Sequence, residues 1–203
     1  MSSPRRPPHL ALAAPPDDLA LAFVNTRYWR GTETPTEELR SLADLVAWCG
    51  KHAGVTPDIL KHAQHSSEHW FAQAIEAREA IARIFRATAE EKQPHGNDLA
   101  TLDLALATSP PRSRLTRLPS GYAWQVEGAE PGIFLLLAPV LWSAADLLTG
   151  RRLNRVRRCA NDRCLWLFLD DSKSGNRKWC MMSACGNRAK AHRHRAKLRE
   201  KER

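Results

Sequence analysis

No run of this 203-residue chain is long and apolar enough to cross a bilayer. Its most apolar stretch, 133–148, is short and contains Pro139 and Asp146, which speaks against a membrane-spanning role. The first 16 residues mix proline, arginine and alanine and lack the continuous apolar centre of a secretory signal, so a cytoplasmic protein is expected. There is no internal repeat. The groupings that enzymes rely on are missing too: no nucleophile–base pair, no phosphate-binding glycine loop, no paired acids. A non-enzymatic role is the expectation. Acidic residues run short in one region only. From Arg151 to Arg203, 17 lysines and arginines stand against 5 acids, a balance of +12. Residues 1–150 hold 14 against 17, a balance of −3, and the two parts sum to the net +9. So uneven a division suggests one part that meets a polyanion and another with a different task.

Cysteine is scarce as well, five in all, yet four of them fall in the last 45 residues. Cys159, Cys164, Cys180 and Cys185 are spaced C-x4-C-x15-C-x4-C. Two close pairs on tight turns, with enough chain between them to fold back, supply the four ligands of a tetrahedral Zn2+ site. In a reducing compartment such a cluster argues for metal rather than disulfides. With sulfur at every position no coordination site is left open for a catalytic water, so one structural zinc is expected. Cys49 stands apart and reads as a small buried hydrophobe.

Patterning divides the chain into three. Residues 1–16 hold five of the 13 prolines and are expected to be a flexible leader. Residues 17–150 read as a mostly helical domain. Asp17-Asp18 open a short apolar helix with Leu19, Leu21, Phe23 and Val24; Ser41, with Asp44 three residues on, caps a second that ends at Gly54. Thr56-Pro57-Asp58 has the form of another helix start. A long helix is predicted from about Ser67 to Glu91, with Phe71, Ile75, Arg78, Ala82 and Phe85 on one face, and a shorter one capped by Asn97. After Pro110-Pro111 the pattern alternates over 114–118 and 122–126, a β-hairpin, before an apolar helix over 131–149 that Gly150 stops. Asn25, Thr26 and Arg27 lie beside the first helix, where both helix-end hydrogen bonding and the lining of a pocket remain open readings.

Residues 151–203 form the third part, a small zinc-finger domain with a basic C-terminal helix. Arg157 to Cys164 makes the first turn, or knuckle. Leu165 to Asp170 has strand character, 171–176 is a turn-rich loop, and Arg177-Lys178-Trp179 returns, giving a hairpin between the two ligand pairs. Ser183 then caps a final helix over about 184–201, with Cys185 in its first turn, where the helix dipole favours a thiolate. Knuckle, hairpin and helix make a treble-clef-like arrangement, and the whole chain is α+β, mostly helical. Trp166 and Trp179 are expected to form the small core. A unit of this size has too little apolar core to fold alone and depends on its metal.

The final helix carries Arg188, Lys190, Arg193, Arg195, Lys197 and Arg199 around its circumference and shows no wide apolar stripe. A helix polar all round needs a partner beyond the core, and phosphates suit its guanidinium groups. Arg177 and Lys178 precede a ligand and can face phosphate, while Asn187 and Arg188 have side chains able to read base edges. For Asn187 and Arg188 a structural role, tying the helix start to the hairpin through Asp170, is an equal alternative.

Trp179-Cys180-Met181-Met182-Ser183-Ala184-Cys185-Gly186-Asn187-Arg188-Ala189-Lys190 resembles the signature of the CGNR zinc-finger family, and Trp166 to Asp170 with Ser172 fits the same pattern. Asp18 to Thr26 resembles the opening of the ABATE domain that precedes such fingers, with Ala22 where an acidic residue is expected, and Asp44 to Trp48 is similar to its next helix. The resemblance implies a stress-linked transcription regulator that binds DNA through its finger, its first domain sensing a small-molecule ligand or associating into a homodimer. A zinc-stapled adaptor for RNA or a protein partner is the alternative.

Overall fold

The computed structural model describes residues 10–55, 59, 68–118, 121–126, 132–192 and 195. Helix α1, Leu19–Val24, buries five of its six residues. Helix α2, Leu42–His52, starts as its cap predicts: Ser41 Oγ accepts from the Asp44 amide at 3.2 Å, and Asp44 accepts in turn from the Arg40 amide at 2.9 Å. It ends before Gly54, whose φ of +62° few side chains tolerate. Helix α3, Glu68–Ala89, is the longest and lays Ala74, Ile81, Ala82, Ile84 and Phe85 into the core. Helix α4, Gly96–Thr108, packs along it. Its cap is His95, which accepts from the Asn97 amide, two residues earlier than the predicted Asn97. The predicted start at Thr56-Pro57-Asp58 lies outside the described residues.

The apolar segment expected as one helix is two, α5 at Ile133–Leu136 and α6 at Ala138–Thr149. Pro139 has no amide to donate and its ring opposes the carbonyl four residues back, so the helix restarts with proline in its first turn. Most of α6 is buried, as expected of a helix apolar nearly all round. Its Ser143 hydroxyl accepts from the Ala20 amide at 3.0 Å, joining α6 to α1.

Among the described residues, three small sheets complete the architecture. In the first, the predicted hairpin β4 (Arg114–Leu118) and β5 (Gly121–Val126) gains a third strand, β1 (Leu10–Ala13), antiparallel to β5 with Leu12 opposite Trp124. The flexible-leader expectation therefore fails over 10–13, where Leu12 is fully buried; residues 1–9 lie outside the described set. Four residues between prolines carry little local strand signal, and their partner is more than a hundred residues away. The second sheet pairs β2 (Arg27–Tyr28) with β3 (Thr36–Glu37). The third pairs β6 (Val156–Arg158) with β7 (Leu167–Leu169).

That third sheet corrects the finger's layout. The hairpin brackets the first cysteine pair instead of lying between the two pairs, because Arg157 and Arg158, read as part of the knuckle, supply its first strand. Val156, Leu167 and Leu169 also join the core of the helical domain. The apolar cores are thus continuous across residue 150. The α+β, mostly helical class and the helical body followed by a hairpin and cysteine cluster stand as read.

Candidate metal centre and its seat on the helical body

Cys159, Cys164, Cys180 and Cys185 are all buried, and their sulfurs lie within 4.8 Å of one another. A tetrahedral site with Zn–S bonds of about 2.3 Å requires sulfurs about 3.8 Å apart. Cys164 Sγ stands 3.7 Å from Cys180 Sγ, which stands 3.8 Å from Cys185 Sγ. These spacings fit one metal ion and are far from the roughly 2 Å of a disulfide. The surroundings are built for thiolates. Backbone amides of Asn161 and Cys180 reach Cys159, that of Trp166 reaches Cys164, and Asn161 Nδ2 donates to Cys185 Sγ at 3.4 Å. The thiols of Cys159, Cys164 and Cys180 act on one another. Hydrogen bonds from Cys164 and Cys180 pull Cys159 down, and that first charge pushes the thiols of Cys164 and Cys180 up. A divalent ion supplies the positive charge that lets all four ionise. Cys49 differs: burial alone pushes its thiol up to about 12, so it stays neutral.

The loops follow from local chemistry. Leu165 takes φ +56° so that the chain can turn out of the knuckle, and Ala160 donates to the Lys178 carbonyl at 2.9 Å, bringing the second pair beside the first. The fully buried Asp170 organises the loop after β7, accepting from Ser172 N at 3.0 Å, Ser172 Oγ at 2.5 Å and Arg177 N at 2.9 Å. The Ser172 hydroxyl leads in holding its carboxyl below the usual range against the cost of burial. Cys185 lies in a wide helical turn, Met182–Gly186, entered from Met181 without a side-chain cap, and the α-helix proper runs over 187–192. Ser183 is not the cap. A Cβ on Gly186 would meet Met182 Sδ at 2.6 Å and Trp179 at 3.4 Å, so the exposed Met182 thioether would have to move aside for it.

Trp166 and Trp179 pack on the cysteines as expected, joined by Phe168 and by Trp29 from the first domain. Trp29 belongs to a seat that the sequence reading left unassigned. Asn25, just past α1, places its side-chain amide against the backbone of β7: Nδ2 donates to Leu167 O at 2.7 Å and Oδ1 accepts from Leu167 N at 3.1 Å. The amide acts as one more strand residue. Thr26 closes the helix end, donating to Phe23 O at 2.7 Å, and accepts from Arg78 at 3.1 Å. Gly31 donates to Arg163 O at 3.2 Å and lies so close that a Cβ would sit 1.7 Å from Asp162 O. Arg188 covers the Trp29 ring at 4.6 Å, and Arg158 pairs with Glu90 at 3.2 Å. Arg152 bridges Asp17 and Asp171.

Behind this seat is a buried charge network. Arg78, 1% exposed, holds both oxygens of Glu37 at 2.6 Å; Arg30 holds both oxygens of Glu79 at 2.6 and 3.1 Å. Burial would push the Glu79 carboxyl up, but Arg30, Arg78 and Arg27 outweigh it and keep it low. Arg78 read as one more position on the buried face of α3; β3 supplies its partner, Glu37.

The predicted nucleic-acid contacts separate into three groups. Arg177 already has partners: it donates to the carbonyls of Trp179 and Cys180 and stacks on Phe168 at 4.7 Å. Lys178, Asn187, Arg188, Lys190 and Arg195 are exposed. Asn187 donates weakly to Ser183 O at 3.3 Å, and neither it nor Arg188 engages Asp170, whose acceptors serve Ser172 and Arg177. Arg193 and Lys197 lie outside the described residues. Lys178, Arg188 and Arg195 line one open groove of about 830 Å³ together with His192, Asp162 and Arg163. Arg163, inside the knuckle, was not singled out from the sequence; its place between two ligands was the available signal.

Comparison with known families gives two matches in chain order. The ABATE family model, described as "Putative stress-induced transcription regulator", matches residues 17–151, more than half of the chain. The CGNR zinc finger matches residues 155–198. No curated protein matches the chain.

Proposed function

Because the chain belongs to the ABATE family and carries a CGNR zinc finger, we propose that it is a zinc-dependent, DNA-binding transcription regulator. The finger docks on duplex DNA through the groove beside the metal centre, and the helical body senses a ligand or mediates self-association. The groove is the observation that carries the reading. Arg163, Lys178, Arg188 and Arg195 converge on it from the knuckle, the segment before Cys180 and the last helix, with Asp162 as its one acid among the described residues. Side chains from three separated stretches share that surface only when four cysteines hold one ion. Zinc supplies the cross-link and offsets part of the thiolate charge; the contacts to phosphate belong to the arginines and lysine.

Affinity of this kind comes largely from counterion release, so it falls with salt by about 0.9 log unit per log unit of salt for each phosphate neutralised. Four groove cations predict a slope of roughly −3 to −4. Titrating the zinc-loaded full chain with duplex DNA at several salt concentrations measures it, and neutralising Arg163 or Arg188 lowers the slope by about one. A flat or absent response counts against the proposal. Tight binding to structured RNA with indifference to duplex DNA would favour the adaptor reading.

A further inference from the structure

A turn of the helical body reaches the finger beside the basic groove. Between β2 and β3 the chain passes through Trp29, Arg30, Gly31 and Thr32, and two of these residues touch the parts of the finger that carry groove cations. The Arg188 guanidinium lies over the Trp29 ring, 4.6 Å from its centre, and Arg188 lines the groove. Gly31 donates its amide to the Arg163 carbonyl at 3.2 Å, and a Cβ on it would stand 1.7 Å from Asp162 O. The atoms that such a Cβ meets are all backbone, so any side chain here pushes the knuckle away. The turn is itself held firmly by the body. Trp29 keeps a left-handed φ of +57°, rare for a bulky residue. Thr32 donates to its carbonyl twice, from the amide at 3.0 Å and from the hydroxyl at 2.7 Å. Arg30 anchors the next position, donating to Val24 O at 3.0 Å and to both oxygens of Glu79 on α3.

We propose that this turn, through Trp29 and Gly31, is a positioning element of the DNA-binding groove: it holds Arg188 and the knuckle bearing Arg163 where both meet phosphate. This role rests on the DNA-binding reading and extends it from the finger to the body. On an exposed helix a long arginine side chain samples many rotamers, and fixing one of them on binding costs entropy. The indole fixes that choice before DNA arrives. A cation–π contact uses none of the guanidinium N–H groups, so they remain for phosphate oxygens. Arg177 shows the contrast: it also stacks on an aromatic ring, Phe168, but donates to two carbonyls of its own finger. Trp29 and Gly31 act through the finger's cations and make no contact with DNA themselves.

The test measures the affinity of the zinc-loaded full chain for a fluorescently labelled mixed-sequence duplex about two helical turns long. Trp29→Leu weakens binding about two- to fivefold, the worth of an exposed cation–π contact, and Trp29→Phe retains most of the affinity. In an Arg188→Gln background Trp29→Leu has no further effect, whereas a merely structural tryptophan would cost the same in both. Gly31→Ala weakens binding too, and its loss shrinks in an Arg163→Gln background. A DNA-free measurement stands beside these, because Trp29→Leu is able to loosen the cysteine cluster on which the indole packs. In the wild-type chain the ring current of Trp29 moves the Arg188 side-chain protons upfield, the signals being assigned as those missing from Arg188→Gln. Ordinary Arg188 shifts, or equal losses from Trp29→Leu in the two backgrounds, overturn the proposal while wild-type duplex binding stands. No duplex binding by the wild type at any salt concentration overturns both readings.

Discussion

The helical body and the finger hold their shapes by different means. The body encloses a broad apolar core, with α6 buried on most sides and α1 packed against it. The finger has four cysteines and four half-buried aromatics, one borrowed from the body. Hydrophobic burial is spread over many side chains and tolerates single losses; a metal site concentrates its energy in one ion. Yet the two are not separate objects. Val156, Leu167 and Leu169 of the finger's hairpin extend the body's core, and Asn25 of the body completes the hairpin's hydrogen bonding. What distinguishes the finger is its outer half, the second cysteine pair and the helix after it, where few apolar contacts stand in for the metal.

Removing the ion is therefore the largest perturbation. Structural zinc contributes on the order of 10 kcal/mol to such modules. Cys185→Ser, or chelation of the wild type, is expected to abolish stoichiometric zinc and DNA binding, while far-ultraviolet circular dichroism retains most of the body's helical signal. Complete loss of helix would show that the body, too, depends on the metal and would break the contrast. A zinc-free protein with an intact finger would break it from the other side.

Next comes Arg78, a charge inside the apolar body. Arg78→Met strands Glu37 and removes a donor from Thr26. Because Glu37 keeps 32% of its side-chain surface in water and its hydrogen bond from the Leu39 amide, the loss falls below the roughly 3–5 kcal/mol of a fully buried pair and is read as a lowered urea midpoint with zinc content unchanged. Asn25→Ala tests the seam itself. It leaves the amide and carbonyl of Leu167 unsatisfied, at about 1–3 kcal/mol, and hydrogen exchange at Leu167 should accelerate while α6 amides stay protected. Equal acceleration in both would mean that finger and body open as one unit.

The smallest expected effect concerns Asp170. Its carboxyl ionises more readily in the folded chain than in the unfolded one, so the stability it supplies is complete above the ordinary carboxylate range. That contribution is lost as pH falls through the lower folded value. Asp170→Asn should flatten the acid limb of the stability curve and leave its shape near neutrality unchanged; an unaltered acid limb would show that Ser172 and Arg177 do not favour the charged form.

Much of this was legible in advance wherever the cause lay within a few residues. The Ser41 cap, the stop at Gly54, the hairpin over 114–126 and the four ligands are local patterns of periodicity, turn chemistry and spacing. The failures were local patterns overruled. Strand β1 sits between prolines that read as a leader, and Pro139 divides a segment that hydropathy alone made continuous. Asn25, Thr26 and Arg27 were visible as polar residues after an apolar helix, but nothing near them named β7 as the partner.

From the order of its residues alone, the chain determined the sulfur ligands of one ion, the helical character of the body and the concentration of positive charge beyond residue 150. Only the tertiary structure decided that Asn25 would meet Leu167, 142 residues away, that Gly31 would lie against the knuckle, and that Trp29 would lie under Arg188. Ligand spacing and periodicity act through bonds along the backbone. Contacts across such separations exist only after helices and sheets have packed, when the burial of apolar surface sets which distant side chains become neighbours.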